Sequence, residues 1–143
     1  MLKDLLDTFG YPGTLAKEYQ HWHVLVGPKQ ITLGTLILVC KDGATALGEI
    51  SDAAFAELPQ VIREVEAALR RVFSNNRVNY LWLMMANPEV HAAILPRYSA
   101  ERTFEGVVFR DSGWPRKPDL DFVNEVPPEV FAKLVATLRA AFV

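Results

Sequence analysis

Apolar side chains recur at helical spacing at Leu2, Leu5, Leu6 and Phe9, and Gly10-Tyr11-Pro12-Gly13 then ends the short helix they predict. From Glu18 to Val26 the pattern alternates instead. Gln20, Trp22, Val24 and Val26 fall on one face and Tyr19, His21, His23 and Leu25 on the other, which predicts a strand. Gly27-Pro28-Lys29-Gln30 interrupts it, and the Leu-rich, β-branched run from Ile31 to Lys41 returns as an antiparallel partner, with Gly34 marking a bulge or a close backbone approach. Ser51 is placed to cap a helix whose Val61, Ile62, Val65, Ala68, Leu69, Val72 and Phe73 form one apolar stripe. Pro59 is expected to open the long part of that helix or to kink it, and Ser74-Asn75-Asn76 to end it. Val78 to Ala86 is apolar almost throughout and predicts a strand covered on both faces. A short strand is expected from Thr103 to Phe109, then a turn holding Trp114, an irregular stretch over 117–126, and a last helix opened by Pro127-Pro128. Hairpin-linked strands with one long helix in the middle and one at the end make this an α+β chain, an antiparallel sheet with helices on one face.

Composition narrows the class. The 143 residues suit one domain over 1–143, half of them are apolar, and no run approaches the roughly 18 apolar residues that a membrane span needs, so no membrane partner is expected. Acidic Asp4 and Asp7 break up the N-terminal apolar pattern, which does not read as a signal peptide and leaves a cytoplasmic location as the expectation. Cys40 is the single cysteine and sits within an apolar run, so no disulfide and no cysteine-based zinc site can form within one chain. With a net charge of −2 and no basic run, the chain lacks the electrostatic footprint of a nucleic-acid polymer binder; a small anion needs only a local pocket.

One further stretch alternates side chains to two faces before a Pro-Arg-Tyr exit: Asn87-Pro88-Glu89-Val90-His91-Ala92-Ala93-Ile94-Leu95-Pro96-Arg97-Tyr98. It resembles the signature strand of the histidine-triad family, in which three histidines alternate ahead of a Pro-Arg. Counting back from Pro96 puts Glu89, His91 and Ala93 where the family has its three histidines, so one of three is kept. The resemblance extends over Thr32-Leu33-Gly34, the strand ending at Lys41, the loop to Ser51, the amphipathic helix, and the later Phe104-Glu105-Gly106 and Phe109-Arg110-Asp111. It implies a histidine-triad-like antiparallel sheet with a long central helix and a C-terminal helix, and a homodimer that continues one sheet across two protomers.

The same resemblance implies nucleotidyl transfer to the middle histidine followed by hydrolysis. An imidazole suits this because its neutral ring is nucleophilic near pH 7 while an acceptor orients its second nitrogen. His91 is the candidate nucleophile and Glu89 the candidate supporting group. Ala93 supplies no donor for developing oxyanion charge, and an ionised Glu89 repels phosphate. The further family histidine after the Ile31–Lys41 strand is replaced by Asp42-Gly43, and Met84-Met85-Ala86 runs almost straight into Asn87 where relatives have a longer polar loop. Arg97, Lys29, His21, His23 and Trp114 are candidate ligand-binding residues; Arg97 reads also as a strand anchor and Lys29 as a loop residue, while for Trp114, in a turn, the resemblance implies a dimer-edge or pocket role. His21 and His23 form only a His-x-His pair, which is too little for a metal site, and no cofactor is implied. The expectation is a histidine-triad-like protein impaired in or lacking family hydrolase activity that keeps nucleotide or small-anion binding. The alternatives are an active nucleoside-phosphate hydrolase or nucleotidyl transferase using His91, and a dimeric scaffold without catalysis.

Overall fold

A computed structural model describes residues 2–142. Five strands form one antiparallel sheet in the order β1-β2-β3-β5-β4, where β1 is Leu15–Glu18, β2 Trp22–Val26, β3 Leu36–Cys40, β4 Arg77–Trp82 and β5 His91–Arg97. The α+β expectation therefore holds. Two predicted single strands are hairpins instead. The stretch read as one strand from Glu18 to Val26 turns at 19–21, so that β1 folds back on β2 with Glu18 opposite His23. That turn sends Tyr19 to the other face from the one alternation assigned, into contact with the long helix, where its hydroxyl donates to Glu64 Oε1 at 2.7 Å. Likewise Thr103 to Phe109 is split into β6 (Arg102–Phe104) and β7 (Val107–Phe109) around Glu105 and Gly106, both at positive φ.

Helix α2 (Asp52–Phe73) begins where expected, with Ser51 Oγ accepting from Ala54 N at 3.1 Å, and runs through Pro59 as one element to the left-handed Ser74. Its apolar stripe of Val61, Val65, Leu69 and Phe73 lies on the sheet. Helix α3 (Pro128–Ala141) adds Leu134, Val135 and Leu138 beside it. Trp22, Val24, Val26, Leu36, Leu38, Cys40, Ala92 and Ile94 point into this main core. Gly34, at φ 86°, is the close approach anticipated: a Cβ there would meet the Phe73 ring at 2.9 Å.

The helices are not confined to one face. Helix α1 (Leu2–Thr8) packs on the opposite side, where Leu5 joins Leu25, Ile37 and Val39 in a second, smaller core. Covered from both sides, β2 and β3 are buried at every position, which is why Leu36–Cys40 shows no alternation in its sequence. The strand expected to be covered on both faces is not. β4 is an edge strand, half-buried along most of its length, and Leu83 and Met85 beyond it are exposed. Val78, Tyr80 and Trp82 pack against the main core, while the free edge leaves the strand only half-buried.

Candidate functional site

His91 opens β5 directly opposite Val39, and Val39 is in turn opposite His23, so one row across the second face reads His23, Val39, His91. Two strand spacings separate the histidines by about 10 Å. Each lies under an aromatic ring from the end of α1. Phe9 tilts over His91 with ring centroids 5.8 Å apart, and Tyr11 over His23 at 4.9 Å.

Their surroundings differ sharply. The Nδ1 of His91 lies 2.7 Å from the backbone oxygen of Glu89. A carbonyl oxygen only accepts, so Nδ1 carries the hydrogen and the lone pair of the neutral ring belongs to Nε2. His23 is 6% exposed and its Nδ1 has no hydrogen-bond partner. Burial holds its pKa below the ordinary value of 6.5, with the Lys41 ammonium acting in the same direction and Glu18 in the opposite one.

Beside His91 is a cavity of about 300 Å³. Its floor is Ile37, His91 and Ala93, and its walls are Thr8 and Phe9 from the end of α1, the 27–31 loop, and Leu81 and Leu83. Met84 packs towards the main core and Met85 is 80% exposed, so neither occupies this space. Lys29 is the one charged side chain in the lining, exposed at the mouth. The loop that carries it is fixed from beneath by Gln30, fully buried, whose Nε2 donates to the Gly27 and Thr35 carbonyls and whose Oε1 accepts from Gly34 N. Thr8 and Thr35 also line the cavity, but their hydroxyls donate to the carbonyls of Asp4 and Thr32. Polar chemistry offered to a ligand is thus the His91 ring and the Lys29 ammonium, set in apolar walls.

The other sequence candidates lie elsewhere. Glu89 precedes β5 and supplies its carbonyl to His91; its carboxylate is not part of the cavity lining, and the residue is 3% exposed. His21 sits at the turn before β2, with its backbone N–H donating to Glu57 Oε1 at 2.8 Å. Among the described residues no three His, Cys, Asp or Glu side chains gather as a metal site. Arg97 is at the far end of β5, six residues and about 20 Å from His91. There it binds Asp111 through Nε and Nη2 at 2.6 and 3.0 Å, Asn79 Oδ1 through Nη1 at 2.6 Å, and the Arg116 carbonyl through Nη2 at 2.9 Å. Trp114 belongs to this end too. Cys40 is fully buried and its thiol is pushed up to about 11, chiefly by burial. Sequence reasoning missed Gln30 as the organiser of the Lys29 loop; a glutamine between Gly-Pro-Lys and a β-branched run carries no distinctive signal.

No family model and no curated protein matches the sequence. Solved structures do match. A histidine triad protein from Sinorhizobium meliloti gives a TM-score of 0.75 at 17% identity, over 98% of this chain and 95% of that one. Another from Bradyrhizobium japonicum gives 0.70 at 18% identity, over 90% of both chains. A hypothetical histidine triad nucleotide-binding protein from Sulfolobus tokodaii gives 0.68 at 16% identity, over 90% of this chain and 83% of that one. With its five-stranded antiparallel sheet, its long central helix and its likeness to these structures, the chain has the histidine-triad fold.

Proposed function

We propose that this chain is a cytoplasmic small-ligand binder on the histidine-triad fold, taking a nucleotide or related small phosphate beside His91 without the family's efficient hydrolysis. The observation that carries the reading is the make-up of the cavity: apolar walls that suit a planar base, His91 with Nε2 available, and Lys29 as the only cation in the lining. A phosphoryl-transfer site needs several donors aimed at the developing oxyanion, and removing even one costs about 2.7–4 kcal/mol where it has been measured. Here Ala93 is a methyl group, and both lining hydroxyls have committed their hydrogens to backbone carbonyls. Binding therefore outlasts turnover. The exposed β4 edge, followed by exposed Leu83 and Met85, favours a homodimer that extends the sheet, to be checked by sedimentation equilibrium.

The fixed tautomer of His91 favours a second reading, an active nucleotidyl hydrolase or transferase with Nε2 as nucleophile. Turnover of a nucleoside phosphoramidate and of a dinucleoside polyphosphate, measured against a His91→Ala control, separates the two. Binding without catalysis predicts equal, background rates for both proteins. A rate that depends on His91 establishes the enzyme. Calorimetry with AMP and GMP tests binding itself: saturable heat that disappears in His91→Ala is expected, and no heat with any nucleotide overturns the proposal in favour of a scaffold.

A further inference from the structure

At the other end of the same sheet face is a second cleft, of about 440 Å³, with a different chemistry. Arg77 of β4 and Arg116 and Lys117 of the 110–117 segment stand around it, Arg97 and Asn79 lie within it, and no Asp or Glu is in its lining. Asp111 balances the charge of Arg97. Arg77, Arg116 and Lys117 are exposed and have no carboxylate partner; Arg77 donates only to the Asn76 carbonyl, and the Arg116 and Lys117 side chains have no hydrogen bond or ion pair among the described residues. The chain as a whole carries a net charge of −2, so three uncompensated cations around one cleft are not the spill-over of a basic surface.

The floor adds donors that the fold leaves unused. A guanidinium has five N–H groups, and Arg97 commits four of them to Asp111, Asn79 and the Arg116 carbonyl. Its fifth, on Nη1, has no acceptor among the described residues, although the side chain is only 4% exposed. Asn79 faces Arg97 with its Oδ1, and its Nδ2 is without an acceptor as well. The cationic segment is held in place. Arg97 binds the Arg116 carbonyl, and Arg116 N donates to Gly113 O at 2.7 Å. Unused donors at the base, on Arg97 and the half-buried Asn79, and separate cations at the rim match an anion with several oxygens and more than one charge.

We propose that this cleft binds a pyrophosphate-type polyanion, as the diphosphate group of a small phosphorylated ligand. The site is separate from His91 and does not depend on what His91 binds. Inorganic pyrophosphate is the probe, titrated into the whole protein at constant ionic strength and followed by calorimetry and by amide and arginine side-chain NMR. Saturable binding is expected, with shifts at Arg77, Asn79, Arg97 and Arg116. The double variant Arg116→Glu/Lys117→Glu should weaken it at least tenfold and Arg77→Glu severalfold, while the shifts in this cleft persist in His91→Ala. Because those rim side chains are exposed, an unchanged thermal midpoint verifies folding, and Arg116→Ala/Lys117→Ala provides a milder second pair. An ADP titration in the His91→Ala background identifies the source of the diphosphate: shifts in the same cleft point to a nucleotide, and binding of pyrophosphate alone points to the free ion. The proposal is overturned if pyrophosphate does not saturate, if the double variant binds as well as the parent, or if the shifts cluster at Lys29.

Discussion

His23 and His91 occupy the same row of the same sheet face, flank the same valine and lie under neighbouring aromatic rings, yet only His91 has an acceptor on Nδ1 and lines a cavity. The difference lies in the second nitrogen. A backbone carbonyl holds His91 Nδ1 and leaves Nε2 beside a cavity, whereas His23 is buried with Nδ1 unpaired and its pKa lowered by that burial. Burial alone makes a histidine a neutral filler. An acceptor on one nitrogen with open space at the other makes it a ligand or a nucleophile.

That contrast can be broken or sharpened by substitution. The largest effect on stability is expected away from both histidines, at the bonded end of β5. Arg97→Ala strands the Asp111 carboxylate, whose side chain is 1% exposed, and should cost about 3–5 kcal/mol in urea unfolding. It should leave ligand binding at His91 within a factor of a few, in a comparison made under conditions where the variant is folded. His23→Leu removes an unsatisfied buried nitrogen and should stabilise the protein by about 1 kcal/mol, read from the urea midpoint.

The same variant tests the titration. His23 has a folded pKa below its unfolded value near 6.5, so between the two values the unfolded chain binds the extra proton and stability falls as pH is lowered. The cost of protonating the buried ring is absent above about pH 6.5 and grows as pH drops towards the folded pKa. His23→Leu should flatten that limb of the stability curve. His91→Ala should change stability by less than about 1 kcal/mol because the ring is only half-buried, and abolish nucleotide binding. The smallest stability effect is expected for Lys29→Ala, within about 0.5 kcal/mol, together with a severalfold loss of affinity confined to anionic ligands and diminished by salt. Equal affinity for charged and neutral ligands in parent and variant would remove Lys29 from the site.

The order of elements was legible because α2 and α3 keep helical periodicities and because Ser51 and Pro127-Pro128 mark helix starts. What escaped was decided by tertiary contacts. The Tyr19 turn lies within a run read as alternating and the Glu105-Gly106 turn within a short run rich in Phe and Val, so each hairpin read as one strand. Val78 to Ala86 read as central because apolar content does not distinguish a covered strand from an edge. At the candidate site, His91 stood out through its place before Pro-Arg-Tyr. The relation of Lys29 to it did not, because it depends on a loop shaped by Gln30. Glu89 drew attention for its carboxylate, while the group that touches His91 is its carbonyl, which any residue would supply. Arg97 reads as an anchor of the strand exit through carboxylate or backbone contacts, with phosphate the lesser reading; its carboxylate partner, Asp111, lies fourteen residues further on, where no local pattern connects them.

The buried Gln30 carboxamide bridges Gly27, Gly34 and Thr35 without help from any ligand, so the wall bearing Lys29 is already shaped when the cavity is empty. A wall built this way has little freedom left to lose on association, and affinity should follow the contacts themselves. Its hallmark is kinetic. The Gly34 amide hydrogen, donated to a side chain inside the protein, should exchange with solvent slowly and at the same rate whether or not a ligand is bound.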